Sequence, residues 1–83
     1  MQEIKSKREL INEQKEKLIK NISIMRDLWF TYKEIALYSG MFQQSIVAIA
    51  KIGLEYPLSL ERAKSASEKL EAIIFVKLEK WQS

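Results

Sequence analysis

The chain has 83 residues, of which 47% are hydrophobic and 30% charged, and a formal net charge of +3. This is one domain with a marginal core, folded rather than disordered, and mildly basic without being committed to nucleic acid. The absence of cysteine and histidine excludes disulfides, thiolate metal sites and the commonest acid–base side chain, while two glycines and one proline leave little material for β-turns, so long helices are expected.

Residues 1–21 read as a charged N-terminal helix. Ile4, Ile11, Leu18 and Met25 recur every seven residues, and Ile22 and Trp29 extend the stripe on the neighbouring position. Ser6 followed by Glu9 has the pattern of a capping box. Lys5, Lys7, Arg8, Lys15, Lys17 and Lys20 stand here against four glutamates. Two readings fit: a solvated amphipathic helix laid on the body of the domain, or a basic arm touching phosphates or a second subunit. The first is favoured, because charge runs on helices are usually solvated faces. Under the second, Lys5, Lys7 and Arg8 make the phosphate contacts. Asn21 and Ser23 leave open whether one helix or two cover this region. Ile22, Ile24, Met25, Leu28, Trp29 and Phe30 are dense enough to be its buried end, with Trp29 and Phe30 expected to close the core.

Thr31 with Glu34 three residues later is a second capping box, opening a short helix that runs to Ser39. Gly40 stands where a turn needs positive φ. A third helix is expected over 42–52, with Ile46 and Ile49 facing inward and Gly53 ending it. Pro57 breaks the chain, and Ser59 caps a last long helix over 59–82. Its second half, Ile73 to Trp81, is apolar almost all round and needs cover from the first helix or from a second copy. Ile73, Ile74, Leu78 and Trp81 are the expected dimer interface.

The span 31–53 therefore has the layout of a helix-turn-helix, and the expected fold is all-α: a small helix-turn-helix domain with an N-terminal amphipathic helix and one long C-terminal helix. Thr31-Tyr32-Lys33-Glu34-Ile35-Ala36, Ser39-Gly40 and Gln43-Gln44-Ser45-Ile46 resemble the helix-turn-helix of the lambdoid phage repressor and Cro family, over about residues 22–53. The resemblance implies a phage-type or mobile-element regulator of transcription that binds operator DNA, usually as a homodimer. Carried over by position, Gln43 and Gln44 would read base edges, where a glutamine amide can pair bidentately with adenine. Val47 and Ala48 would lie on the groove-facing side, near thymine methyls. Ser45 would touch a base or a phosphate. Tyr32 and Lys33 would hold the DNA backbone from the second helix, and Lys51 from the end of the third. The tyrosine ring could equally cover the edge of the core. Val47 and Ala48 depart from the polar residues common in the family, and one long helix replaces its usual later helices.

Charge qualifies this picture. Over 21–57, Arg26, Lys33 and Lys51 balance Asp27, Glu34 and Glu55, so attraction to phosphates must come largely from the flanks. An enzyme is not expected, since no glycine-rich phosphate loop and no nucleophile–base pair is visible, and no cofactor or metal is implied. The N-terminus lacks the apolar run of a signal peptide and no window is apolar enough to span a bilayer, so a cytoplasmic protein without a membrane partner is expected. The alternative function is a protein-binding module on the same scaffold, an anti-repressor or small phage-type inhibitor whose partner is another regulatory protein, with Phe42, Val47 and Ala48 as its contact face.

Overall fold

The computed structural model of the chain describes the backbone of residues 6–82 and the side chains of residues 6–80. Four helices follow one another: α1 Lys7–Asp27, α2 Tyr32–Ser39, α3 Gln43–Ile52 and α4 Leu60–Gln82, with a single 3-10 turn at Gly53–Glu55 between α3 and α4. The domain is all-α, a helix-turn-helix carried between one long helix on either side. Among the described residues, no single helix is long and apolar enough to cross a membrane. Lys5 and the side chain of Trp81, both expected at interfaces, lie outside the described residues.

Polar side chains set three of the four helix starts. Ser6 accepts from the Glu9 N–H (3.2 Å), and Ser59 accepts from the Arg62 N–H (3.2 Å). At Thr31 the capping box is complete: the Glu34 N–H donates to Thr31 Oγ1 (3.1 Å), and the Thr31 N–H donates to Glu34 Oε1 (3.0 Å). Each such cap is worth about 1 kcal/mol. The third helix starts later than the sequence suggests. Phe42 is its N-cap and makes no side-chain cap, so the helix proper begins at Gln43.

The core is formed by one face of each helix. Leu18, Ile22 and Met25 of α1, Ile35 and Ala36 of α2, Ile46 and Ile49 of α3, and Ala66, Leu70 and Ile74 of α4 form a single buried cluster. The largest helix contact is between α1 and α4. The two run in the same direction. Leu18 and Leu58 line one small hollow, Asn21 bonds to Ser67, and Lys77 Nζ stands 5.9 Å from the Phe30 ring centroid. These contacts advance together along both helices.

That course bears on three points of the sequence reading. First, α1 does not break at Asn21 but continues to Asp27. Asn21 is buried, and its amide donates to both the backbone carbonyl (3.1 Å) and the hydroxyl (3.2 Å) of Ser67, a partner 46 residues away. Second, α1 supplies part of the cover that α4 needs: Ile22 and Met25 share the core with Leu70 and Ile74, and beyond them Phe30, with Lys77 across it and Tyr38 edge-on (5.8 Å), extends it. Third, Ile74 is not a surface residue awaiting a second copy. It is only 8% exposed and belongs to the core, and Ile73 packs partly against it.

Trp29 is the largest departure. Expected to close the core, it is 89% exposed and adopts φ of 73°. The cause is how α1 ends. The Trp29 N–H donates to the Arg26 carbonyl (3.1 Å) and the Phe30 N–H to the Met25 carbonyl (3.0 Å), the paired bonds of a Schellman motif. Its left-handed position normally takes glycine. Phe30, not Trp29, turns back onto the core. Left-handed backbone costs an L-residue roughly 1–2 kcal/mol, and so exposed a ring recovers little of it. Glycine's greater loss of backbone freedom offsets part of this, so Trp29→Gly is expected to stabilise the domain by about 1 kcal/mol, raising the melting temperature by about 4–8 °C in a thermal unfolding scan. An unchanged or lower melting temperature would show that the indole contributes packing.

Candidate nucleic-acid interface

The helix-turn-helix is built by a sharp turn. Gly40 caps α2 in the left-handed region (φ 75°), and the Met41 N–H also returns to the Ala36 carbonyl (3.1 Å). The chain then turns through 107° between α2 and the segment Gln43–Glu55. A side chain at position 40 would be strained by the left-handed backbone, whereas Lys69 Nζ, 3.1 Å from where a Cβ would be, is the end of a flexible chain that can move aside. Glycine is favoured there, as its place in the motif suggests.

With Ile46 and Ile49 buried, helical spacing sends the other residues of α3 outward. Gln43, Gln44 and Lys51 are exposed, and Ser45, Val47 and Ala48 are half-buried. The two glutamine amides thus sit together at the start of a helix anchored from behind. Val47 and Ala48 form a shallower apolar step beside them. Two apolar side chains nearby are unusually bare: Phe42 is 78% exposed and Leu37 of α2 is 77% exposed.

The residues expected to hold a backbone divide into two groups. Lys7 and Arg8 share a hollow with Ile11, Asn12, Lys15, Leu54 and Glu55, which places the basic start of α1 against the segment leaving α3. Lys15 Nζ donates to the Leu54 carbonyl oxygen (3.1 Å). Lys33 is exposed in the first turn of α2. Beside it Tyr32 is half-buried, and its ring carries the Arg26 guanidinium 4.4 Å above its centroid. Arg26 also donates to the Phe30 carbonyl oxygen (3.0 Å). Tyr32 therefore serves as a platform for a cation as well as an edge to the core. Arg26, Tyr32, Ile19, Ser23 and Asp27 line a second hollow with Ala50 of α3.

Lys15 and Arg26 were not among the expected contacts, yet the sequence carries a signal for them. Arg8, Asn12, Lys15, Ile19, Ser23 and Arg26 are spaced three or four apart and so form one line along α1. Glu9 and Glu13 are turned away from it, and Glu16, four after Asn12 and three before Ile19, stands at its edge. Which neighbour that line faces is decided by tertiary packing alone.

At the other end of the domain, the expected dimer residues do not stay together. Ile74 is buried, Ile73 is half-buried and Leu78 is exposed. Among the described residues, the bare apolar side chains of α4 are Phe75, Val76 and Leu78. Compared with family models, curated proteins and solved structures, the chain matches none of them.

Proposed function

We propose that this protein is a small sequence-specific DNA-binding regulator of transcription that inserts α3 into the major groove. The observation that carries the reading is the exposure of Gln43 and Gln44 side by side at the start of a helix fixed from behind by Ile46 and Ile49. Amides so placed can each meet an adenine edge, and the half-buried Val47 and Ala48 suit thymine methyls. Lys33 and Lys51 add charge at the two ends of the motif, and Lys7 and Arg8 add it where the chain leaves α3. Ser45, in the first turn of α3, is placed for a phosphate or a base. The reading needs no cofactor and no catalytic group, and a cytoplasmic location suits it. Selection of bound sequences from a random duplex pool tests it. Enrichment of a defined site supports it, and failure to retain any duplex at low salt overturns it.

The bare Leu37 and Phe42 favour a second reading, a module whose α2–α3 surface enters a groove on another regulatory protein. The same selection separates the two, because that module would enrich no DNA sequence.

A DNA-binding form would be a homodimer addressing half-sites about one helical turn apart. Phe75, Val76 and Leu78 are the α4 residues whose exposure suits pairing. The double change Phe75→Glu and Val76→Glu is expected to convert a dimer to a monomer in sedimentation equilibrium with the helix content unchanged. A dimer that survives the change places the interface elsewhere. Truncation before Ile74 is not an equivalent test, since it removes a core residue.

A further inference from the structure

We infer that α1 is itself a backbone-gripping element, with Lys15 and Arg26 each taking a separate phosphate of the duplex that α3 enters. The inference rests on the reading of α3 given above and adds a partner surface to it. Both cations lie on the line of α1 that borders α3 and the segment after it. Lys15 shares a hollow with Leu54 and Glu55, and Arg26 shares one with Ala50 and Tyr32.

Both are held in place before any ligand arrives, and the contacts that hold them are not carboxylates. Lys15 donates to the Leu54 carbonyl, while Arg26 donates to the Phe30 carbonyl and stacks on Tyr32. A lysine has three donors and an arginine five, so one backbone bond each leaves donors for an anion. Each hollow also holds one carboxylate. Glu55 stands among Lys7, Arg8 and Lys15, and Asp27 stands beside Arg26. The first hollow is therefore basic on balance, and the second holds one cation, Arg26, and one carboxylate, Asp27.

Spacing makes the two contacts independent. Eleven residues of continuous helix set them about 16 Å apart, too far to share one phosphate. The line between them carries Ile19 and Ser23, with Glu16 at its edge. A duplex backbone is the occupant that this pattern suits, because phosphates recur at regular spacing along it and bind fixed cations without reading sequence.

Salt titration of duplex binding tests the inference. Each phosphate contact contributes about 0.9 to the slope of log affinity against log salt. Lys15→Gln and Arg26→Gln are each expected to flatten the slope by about 0.9, and the double variant by about 1.8. Lys15→Arg and Arg26→Lys keep the charge and are expected to keep the wild-type slope. Lys20→Gln, which shares a hollow with Glu13, Glu16 and Lys17 away from α3, is expected to leave the slope unchanged. Thermal melts of every variant separate loss of contact from loss of fold. A wild-type slope in folded Lys15→Gln and Arg26→Gln overturns this assignment while leaving DNA binding intact. Absence of duplex binding by the wild-type chain overturns the DNA reading and this inference with it.

Discussion

Replacing Gln43 and Gln44 together by alanine is expected to reduce discrimination between DNA sequences sharply while leaving the fold and the salt dependence of binding intact. Both side chains are exposed on α3, and alanine is the better helix former, so stability should hold or rise slightly. A bidentate amide–adenine pair is worth about 1–3 kcal/mol of discrimination, so losing two costs about 2–6 kcal/mol, roughly 30-fold to 10⁴-fold in specific affinity. Under the proposed function, binding to unrelated duplex would rest on cations and should be unaltered. Competition of the selected site against random duplex measures the ratio directly. A ratio that stays at its wild-type value removes base reading from α3.

Ile46→Ala is expected to have the opposite profile. Ile46 is fully buried and joins α3 to the cluster formed with α1, α2 and α4. Truncating such a side chain typically costs 2–5 kcal/mol, the lost transfer energy plus the cavity left behind. A domain of this size is held by only about 4–12 kcal/mol, so one substitution threatens a large part of the total. Urea unfolding should show a much lower midpoint with an unchanged slope. DNA affinity should fall only in proportion to the unfolded fraction, whereas the glutamine variants lose specificity while fully folded. A midpoint shift equivalent to less than about 1 kcal/mol would mean that α3 is not anchored through this residue.

What could be read from the sequence followed what is local. The capping pair Thr31 and Glu34, the turn glycine at 40, the inward pair Ile46 and Ile49 and the Ser59 cap all depend on neighbours within a few residues, and all stand as expected. What could not be read depended on distant partners. Asn21 has the propensity of a helix breaker, but Ser67 satisfies its amide, and the helix runs through. Trp29 has the composition of a core residue, but the Schellman bonds closing α1 give the inward place to Phe30. Ile74 falls on the inward side that helical phase sets with Ala63, Ala66 and Leu70, but that it is covered within the chain, and not by a second copy, is decided by tertiary packing. The same holds for the candidate interface. The exposure of Gln43 and Gln44 follows from helical phase, whereas the seats of Lys15 and Arg26 depend on carbonyls at Leu54 and Phe30 that no spacing rule supplies.

The buried amide of Asn21 has a consequence for tolerance of error. Ile11, Leu18 and Met25 repeat every seven residues along α1, so a slipped alignment against α4 would meet much the same apolar surface. Slippage would, however, strand the Asn21 amide among hydrocarbon without the Ser67 oxygens, costing about 1–3 kcal/mol. The bond thus acts as a detent: it gives two otherwise slidable helices a single stop. Because Lys15 and Arg26 ride on the same helix as Asn21, that stop also sets where their charges fall along α3.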